Sequence, residues 1–514
     1  MADFTFTPLT PTAFLGRAAR VFGDREAVVD GKRRFTYAQF YERALRLTGA
    51  LRDLGVEPGD RVAALCSNSH VMLEMHQGAP MRGGVLVPLN IRLSELEQTY
   101  ILEHCSASLI VATHEFAGRA RAIGSKLGIQ VLVAGGDDDE YEARLRCTDP
   151  APVPVTDETS PLAINYTSGT TGRPKGVVYH HRGAYLQALA MAIHNRMDEE
   201  STYMWTLPMF HCNGWCFTWA TSATATRNIC LREIDAEQIW RLLDREGVTH
   251  FSAAPTVLSM IASAPGAARS TLKHTVQVQT GGAPPTPVLL ERLARLRMKV
   301  THLYGLTETY GPVALNEWKR EWDNLPTSEQ SVLRARQGVG NVIAESLRVV
   351  DSTGRDVPSD GVTIGEIVAR GNDVMLGYFR DEAATDAVTI GGWFRTGDLA
   401  VMHPDGYVEI RDRLKDIIIS GGENISSVEV ERVIDEIPEV QESAVVGLPD
   451  ETWGQIPIAF VTLRAGAEVD AEKVIAHVRE RLAHFKAPRQ VHFGSLPKTS
   501  TGKIQKSVLR SKTL

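Results

Sequence analysis

Helical stretches and short apolar runs alternate along residues 1–300 of the chain. Thr36 can cap a helix, and Gly55 stands where that helix would end. The apolar positions between them follow the helical period: Phe40, Ala44, Leu47 and Leu51. Runs such as Arg61–Cys66 and Val85–Pro88 are short and apolar enough to be buried strands. Strands that alternate with helices in this way predict an α/β fold whose parallel sheets are covered on both faces.

The pattern changes near residue 335. Three segments beyond it read as short strands separated by turn residues, and they predict an antiparallel sheet or small barrel: Gly365–Arg370, Trp393–Ala400 and Gly406–Ile410. After Arg413 a new α/β unit is predicted, with helices at Ser427–Glu436 and Ala471–Ala483. Because 514 residues exceed one ordinary core, we expect a large domain 1–413 and a small domain 414–514, with a hinge within Asp412–Asp416.

The net charge of -7 argues against a general binder of nucleic acids or anionic membranes. No apolar stretch approaches the roughly 20 residues that cross a bilayer. The first residues also lack the basic and apolar segments of a signal peptide. We therefore expect a cytoplasmic protein without stable membrane insertion. The oligomeric state stays open, with a homodimer as one arrangement.

Six cysteines in a chain of this size are too few and too scattered for a disulfide framework. His211, Cys212 and Cys216 suggest a zinc site, but the sequence has no second Cys/His pair at matching spacing. Structural zinc requires four ligands, so we favour a reading without zinc.

The segment Tyr166–Val177 is the most informative one, and it reads Tyr-Thr-Ser-Gly-Thr-Thr-Gly-Arg-Pro-Lys-Gly-Val. Leu162–Ile164 predicts a strand in front of it. Glycines let a backbone approach an anion, hydroxyl and amide groups donate to phosphate oxygens, and Lys175 adds a positive charge. Pro174 stands where a Walker loop requires glycine. By composition alone, the segment could also be a hydroxyl-rich linker with a solvated lysine.

This segment resembles, almost residue for residue, the phosphate loop of the adenylate-forming superfamily of acyl-CoA synthetases, peptide-synthetase adenylation domains and luciferases. Later segments resemble further motifs of that superfamily in the same order: Gln279–Pro284, His302–Thr309, Trp393–Leu399, Arg411–Asp416 and Pro497–Ile504. The resemblance covers residues 10–510. It implies a large N-terminal domain of two α/β subdomains plus a small β-barrel, followed by a mobile C-terminal α+β lid.

The resemblance also implies an ATP site. The expected ATP-binding residues are Thr167, Ser168, Gly169, Thr170, Thr171, Gly172, Lys175, Gly281, Gly282, Ala283, His302, Tyr304, Gly305, Thr307, Asp398 and Arg413. Tyr304 is expected to stack on adenine, and Asp398 to accept hydrogen bonds from both ribose hydroxyls. Thr167 and Glu308 would hold the Mg²⁺ that arrives with ATP, because hard oxygen ligands suit that ion.

Lys503 corresponds to the catalytic lysine of the superfamily. A cation there would stabilise the negative charge that gathers as the carboxylate attacks the α-phosphate. Glu308 and His211 are the other expected catalytic residues, and Lys415 corresponds to the hinge residue. Asp412 stands where many relatives have glycine.

Gly421 and Gly422 resemble the loop that leaves a tunnel for the pantetheine arm of CoA. The segment Trp205–Trp215 resembles a branch of medium-chain acyl-CoA ligases, plant acyl-activating enzymes and 3-methylmercaptopropionate-CoA ligases. The expected acyl pocket comprises His211, Asn213, Trp215, Gly282 and Gly305. Acetate-specific relatives have tryptophan in place of Gly305, so glycine should admit longer acids. Phe210 and Trp215 can equally be ordinary core residues.

The sequence therefore predicts an ATP- and Mg²⁺-dependent ligase that converts a small carboxylic acid to its acyl-AMP and then, with CoA, to a thioester. The favoured acid is short-to-medium aliphatic or thioether-containing, with an aryl acid next. A stand-alone adenylation protein that loads a carrier protein is one alternative, and a catalytically inactive nucleotide-binding relative is another. The intact Lys503, Glu308 and phosphate loop argue against the inactive relative.

Overall fold

The structure, a computed structural model, describes residues 5–167, 173–269, 272–282, 285, 287–420, 423–450, 452–499 and 503–512. The chain forms two units, each with its own contacts. Unit 1 comprises residues 1–335, 340–346 and 369–394, and unit 2 comprises residues 336–339, 347–368 and 395–514. Residues 395–413, which the sequence assigned to the first domain, therefore belong to unit 2. The predicted domain roles and the hinge stay predictions.

A seven-stranded sheet of unit 1 is mostly parallel. In spatial order its strands are Gly377–Tyr378, Lys175–His180, Pro161–Thr167, Val85–Pro88, Arg61–Leu65, Ala107–Thr113 and Gln130–Ala134. Along Arg61–Leu65, Val62 and Ala64 pack in one buried cluster, whereas Ala63 and Leu65 pack in another. Both faces are thus buried, which explains why this strand reads as a continuous apolar run.

A larger sheet has nine strands and a parallel centre. In spatial order they are Val339–Gly340, Gly311–Leu315, Met298–Leu306, Val276–Thr280, His250–Ser252, Thr202–Trp205, Arg227–Cys230, Glu26–Asp30 and Arg33–Thr36. Tyr203 and Trp205 pack on one face and Met204 on the other. The parallel sheets predicted from the alternation are confirmed.

The largest core of unit 1 lies between its two sheets. It brings together Val62 of the seven-stranded sheet and Trp205 of the nine-stranded sheet, with Leu47 and Met75 from helices between them. The α-helical segments of residues 1–394 are Thr12–Val21, Tyr37–Asp53, His70–Met81, Glu95–Cys105, Ala117–Leu127, Glu140–Cys147, His181–His194, Cys212–Trp215, Phe217–Ala223, Ala236–Arg245, Pro255–Ser263, Pro265–Arg269, Pro287–Arg295, Thr327–Ala335 and Glu382–Ala387. Short 3₁₀ turns occur at His114–Phe116, Thr307–Thr309 and Arg320–Asn324.

The helix predicted after Thr36 begins where the sequence placed it. The Thr36 hydroxyl accepts the Gln39 backbone N–H at 3.3 Å, and the Gln39 side chain accepts the Thr36 N–H at 2.9 Å. This reciprocal capping box satisfies two backbone donors that the first helical turn leaves without partners.

Most strands of the two smaller sheets belong to unit 2, whereas Thr389–Ile390 belongs to unit 1. The strands of the first are Arg348–Val350, Ile364–Ala369, Trp393–Met402, Thr389–Ile390 and Val408–Arg413, and those of the second are Glu423–Ile425, Ile418–Ser420, Gly454–Leu463, Val440–Asp450 and Gln490–Phe493. Helices Ser427–Ile434, Ala471–Arg481 and Lys506–Lys512 and the 3₁₀ turn His484–Lys486 accompany them. The antiparallel strands expected after residue 335 and the α/β pattern expected after Arg413 are both present. Across the described part of the chain, none of the helices is long and apolar enough to cross a membrane.

Candidate active site

The phosphate-loop segment connects two antiparallel strands. Thr167 ends the first strand and Lys175 begins the second, and the two are paired in register. The strand predicted before the loop is therefore present. The loop residues Ser168, Gly169, Thr170, Thr171 and Gly172 lie outside the described residues. A hydroxyl and an ammonium group consequently stand at the two ends of one loop.

Strand Met298–Leu306 carries three of the expected nucleotide-binding residues, namely His302, Tyr304 and Gly305. His302 and Tyr304 are buried. Thr280 of the neighbouring parallel strand pairs with His302. The Gln279–Gly282 and His302–Thr309 segments therefore both lie at the carboxyl ends of these two strands. The two motifs, which both supply expected ATP-binding residues, are thus adjacent.

The Thr307–Thr309 turn follows this strand directly and presents Glu308. The Tyr179 hydroxyl donates to the Thr307 carbonyl at 2.6 Å, and the rings of Tyr179 and Tyr310 stack with centroids 3.8 Å apart. These two tyrosines, which sequence reasoning did not identify, fix the turn that carries the expected metal ligand.

The backbone packing around position 305 requires glycine. A Cβ at this position would overlap the carbonyl oxygen of Gly311, which belongs to the next strand. The pocket-opening role expected of Gly305 stays a prediction. Close approach of two backbones already requires glycine there.

Two of the expected acyl-pocket residues, Asn213 and Trp215, lie on a left-handed turn. Five consecutive residues have positive φ: Cys212 (46°), Asn213 (44°), Gly214 (59°), Trp215 (53°) and Cys216 (61°). Left-handed backbone costs L-residues roughly 1–2 kcal/mol each. The Asn165 side chain donates to the Asn213 side-chain oxygen at 2.5 Å and accepts the Asn213 backbone N–H at 3.3 Å. These buried hydrogen bonds tie the turn to the strand that leads into the phosphate loop.

The turn places the Trp215 ring between two glycines. A Cβ on Gly311 would lie 2.8 Å from this ring, and one on Gly281 would lie 3.4 Å from it. Gly282 has φ +85° with open space around it, and Ala283 lies outside the described residues. The structure therefore places the predicted pocket residue Trp215 beside the predicted ATP-binding residue Gly281.

A small cavity of about 30 Å³ lies beside His211. Its lining includes Asn165, Phe210, His211, Cys212 and Thr307. This volume is about one water molecule's share of liquid, so the space as it stands accepts only a small group.

Glu308 and Thr167 fit the expected magnesium ion chemically. Both supply oxygen atoms, and the Glu308 carboxylate is oriented by the Tyr378 hydroxyl, which donates to Oε1 at 2.8 Å. Within the described ranges, no group of three or more His, Cys, Asp or Glu side chains forms a metal cage. One carboxylate and one hydroxyl suit Mg²⁺, which keeps several waters and binds together with phosphate groups.

Among the described residues, the zinc alternative lacks a group of three or more His, Cys, Asp or Glu ligands. The Cys212 Sγ lies 3.8 Å from His211 Nε2 and 3.5 Å from the Thr307 hydroxyl. Burial raises the pKa of the Cys212 thiol to about 12.

Unit 2 brings together the two expected ribose-binding residues. Asp398 and Arg413 are paired in register on adjacent antiparallel strands, and Arg413 Nε lies 3.2 Å from Asp398 Oδ1. Asp398 is buried. A carboxylate held by a guanidinium in this way is fixed in orientation and still has lone pairs for a vicinal diol.

Lys503 lies in the same part of unit 2. Its surroundings lower the pKa of the ammonium to about 7, through burial first and then the charge of Arg413 and Lys415. Asp398 and Asp416 act in the opposite direction. Lys503 is carried by a hairpin in which Thr499 and Lys503 exchange hydrogen bonds, the Thr499 N–H donating to the Lys503 carbonyl at 2.7 Å.

The predicted hinge residue Lys415 lies in a tight turn between two strands. The Leu414 N–H donates to the Gly397 carbonyl at 3.0 Å, and the Asp416 N–H donates to the Arg413 carbonyl at 2.9 Å. Burial and the charge of Arg413 lower the pKa of Lys415. Gly421 and Gly422, expected to line the CoA tunnel, lie outside the described residues.

Asp412 has a structural role that the sequence did not reveal. Its buried carboxylate accepts the Ser427 N–H at 2.5 Å and the Ser427 hydroxyl at 2.9 Å. It also accepts the Arg413 N–H at 2.7 Å. Asp412 thus joins the strand that carries Arg413 to the first turn of helix Ser427–Ile434.

Comparison with known proteins gives matches over nearly the whole chain. The family model "AMP-binding enzyme" matches residues 15–379, and "AMP-binding enzyme C-terminal domain" matches residues 429–503. The peroxisomal acetate/butyrate–CoA ligase AAE7 of Arabidopsis thaliana is 45% identical over 539 residues, covering 99% of this chain and 95% of that protein. The 4-hydroxybutyrate–CoA ligase 2 of Metallosphaera sedula is 42% identical over 521 residues, covering 98% and 95%. The crystal structure of ATP-bound MatB from Rhodopseudomonas palustris has a TM-score of 0.88 at 28% identity, covering 98% of this chain and 99% of that one.

Proposed function

The chain belongs to the AMP-binding enzyme family, and we propose that it is an acyl-CoA ligase for short aliphatic acids that works through an acyl-AMP intermediate. ATP-dependent formation of an acyl-CoA is the reaction of its family and of its named relatives. The individual site residues and the choice of acid are what the proposal adds.

The observation that carries the residue assignments is the cluster of Asp398, Arg413 and Lys503 in unit 2. A buried carboxylate oriented by a guanidinium is suited to a ribose diol, and an ammonium group whose pKa is lowered to about 7 stands near it. A neutral sugar alone would not stabilise a cation whose charged form is disfavoured by its surroundings. The negatively charged α-phosphate next to the ribose would stabilise it.

In the first half-reaction, an oxygen of the substrate carboxylate attacks the α-phosphorus of ATP. A carboxylate–phosphorus bond forms, the bond to the β-phosphate oxygen breaks, and pyrophosphate leaves. Lys503 offsets the negative charge that gathers on the attacking and α-phosphate oxygens, while Lys175 binds the departing phosphates. A preorganised charge of this kind is worth roughly 10²–10³ in kcat.

Glu308 and Thr167 would hold the Mg²⁺ that accompanies ATP. When bound, that ion neutralises phosphate charge and favours departure of pyrophosphate. The contribution of the chain is orientation, because Tyr179 and Tyr310 fix the turn that presents Glu308.

In the second half-reaction, the CoA thiol loses its proton to solvent and its sulfur attacks the acyl carbonyl carbon. The carbon–sulfur bond forms, AMP leaves with the former carboxylate oxygen, and the acyl-CoA thioester results. We assign the change between the two half-reactions to rotation at Lys415, and the pantetheine tunnel to Gly421 and Gly422. Cytoplasmic location and a homodimeric state also stay predictions.

For the acid we propose an aliphatic chain of two to four carbons. The named relatives act on acetate, butyrate and 4-hydroxybutyrate. The cavity beside His211 is small, about 30 Å³, so an acid of any of these sizes requires side-chain movement. Medium-chain, thioether and aryl acids are the alternatives to this choice.

The direct test is a screen of CoA-dependent AMP release across acids from acetate to benzoate. We expect the highest kcat/KM with acids of two to four carbons. A parallel assay replaces CoA with a holo-carrier protein and should form no thioester. Preference for benzoate or for a long-chain acid would contradict the proposed acid, and thioester on the carrier alone would contradict the proposed acceptor.

A further inference from the structure

We propose that Tyr378 is a positioning residue that holds Lys175 and Glu308 in place for a metal-bound nucleotide. The inference rests on the proposed function, which assigns Lys175 to the phosphates and Glu308 to the magnesium ion. Tyr378 lies 70 residues after Glu308 in the chain, outside every motif that the sequence identified.

Tyr378 meets the two charged residues with different parts of its side chain. The Lys175 Nζ lies 4.7 Å from the centroid of the Tyr378 ring, which is a cation–π contact. The Tyr378 hydroxyl donates to Glu308 Oε1 at 2.8 Å, which is a charge-assisted hydrogen bond. The tyrosine therefore stands between a cation and a carboxylate that belong to different motifs.

The backbone around Tyr378 holds the same two regions. The Met375 N–H donates to the Glu308 carbonyl at 2.9 Å, and the Phe379 N–H donates to the Gly176 carbonyl at 2.7 Å. Tyr378 itself pairs with Val177 in the two-stranded ladder beside Lys175. A segment of five residues thus fixes the main chain at Glu308 and at the Lys175 strand, and Tyr378 fixes their side chains.

A neutral aromatic spacer is useful between these groups. If Lys175 and Glu308 approached each other directly, each would neutralise the charge that the other needs for phosphate or metal. A tyrosine ring attracts the ammonium through its face, while its hydroxyl orients the carboxylate. Both long side chains are then ordered before the nucleotide arrives, which lowers the entropy cost of binding.

Two variants separate the two contacts. Tyr378→Phe keeps the ring face for Lys175 but removes the hydroxyl from Glu308, whereas Tyr378→Leu removes both. Tyr185→Phe is the matched control, because the Tyr185 ring stacks on Phe14 and takes no part in the proposed site. Calorimetry would measure the Kd of ATP for each protein, once with excess Mg²⁺ and once with a chelator.

We expect Tyr378→Phe to weaken binding of Mg²⁺-ATP about tenfold and to leave metal-free ATP binding within about twofold of wild type. Tyr378→Leu should weaken both, and Tyr185→Phe neither. An equal loss with and without Mg²⁺ in Tyr378→Phe would show a merely structural role and overturn the proposal, as would unchanged Mg²⁺-ATP binding. Because the readout is nucleotide binding, it stands apart from the test of the acid: a wild-type protein that binds Mg²⁺-ATP but turns over no acid would refute the proposed function alone.

Discussion

The surroundings of Lys503 disfavour the positive charge of its ammonium group. Burial and the neighbouring cations Arg413 and Lys415 lower its pKa to about 7, against 10.5 for an ordinary lysine. The unfolded chain therefore binds more protons than the folded chain between about pH 7 and 10.5, and the free energy of unfolding rises with pH across that window. A bound triphosphate, with its negative charge, would reverse the effect and recharge the ammonium.

This environment gives a pH prediction. We expect kcat/KM for ATP in acyl-AMP formation to decrease as the pH rises through about 7, because this ratio reports the protonation state of the free enzyme. Initial rates of pyrophosphate release at low ATP concentration, between pH 6 and 9, would measure it. A profile that stays flat to pH 9 would show that the charge of Lys503 is not required, or that its pKa is ordinary.

Asp412 gives a prediction about stability. Asp412→Ala should lower the free energy of unfolding by about 1–3 kcal/mol, because it leaves the buried Ser427 N–H and hydroxyl without their carboxylate acceptor. Urea unfolding of unit 2 would measure the loss. Asp356→Ala is the control, since Asp356 forms an exposed ion pair with Arg348 at 2.7 Å that should contribute less than about 1 kcal/mol. Equal losses in the two variants would contradict the role of Asp412.

At the scale of elements, the left-handed turn of residues 212–216 is the part of the site that sequence reasoning could not supply. Asn213 and Trp215 were predicted as pocket residues from their resemblance, but Cys212, Trp215 and Cys216 are residue types that do not favour positive φ. The turn persists because Asn165, 48 positions earlier, hydrogen-bonds Asn213. Such long-range partners leave no local pattern.

Regular elements, in contrast, were predictable. The helix after Thr36 and the strand Val85–Pro88 follow from capping chemistry and apolar runs that act within a few residues. Tyr378 and Asp412 contact residues that are distant in the sequence, 70 and 15 positions away. Local sequence patterns therefore could not predict either role. The phosphate loop itself was identified by resemblance, and its core lies outside the described residues.

Gly305 gives a prediction about the strand pair that ends in the Thr307–Thr309 turn. Gly305→Ala should lower the free energy of unfolding by about 1–3 kcal/mol, because a Cβ there would overlap the Gly311 carbonyl. Gly118→Ala, in a helix with open space around it, should be neutral or slightly stabilising. Thermal unfolding of both variants measures the difference. A Gly305→Ala protein as stable as wild type, altered only in acid preference, would favour the pocket-floor interpretation instead.

At the scale of the whole molecule, the proposed reaction uses groups from both units. Thr167, Lys175 and Glu308 belong to unit 1, whereas Asp398, Arg413 and Lys503 belong to unit 2. The proposed reaction consists of two chemically different half-reactions. We propose that rotation at Lys415 serves the change between them.

The hinge proposal predicts a selective defect. Lys415→Pro should leave pyrophosphate release within about threefold of wild type and slow thioester formation at least tenfold, because a fixed φ restricts rotation there. Single-turnover assays of each half-reaction would measure this, and Lys415→Ala separates loss of charge from loss of rotation. Transfer to CoA at the wild-type rate in Lys415→Pro would show that the rotation occurs elsewhere.

We propose that Lys503 drives attack of a carboxylate on the α-phosphate of ATP. Acid-dependent exchange of labelled pyrophosphate into ATP, without CoA, tests it most directly. We predict exchange with acids of two to four carbons in the wild type, and a loss of at least about 100-fold in Lys503→Ala. Lys498→Ala should retain exchange, because Lys498 lies on the same hairpin but pairs with Glu442 at 2.6 Å. Absence of exchange in the wild type with every acid, or undiminished exchange in Lys503→Ala, would contradict the account.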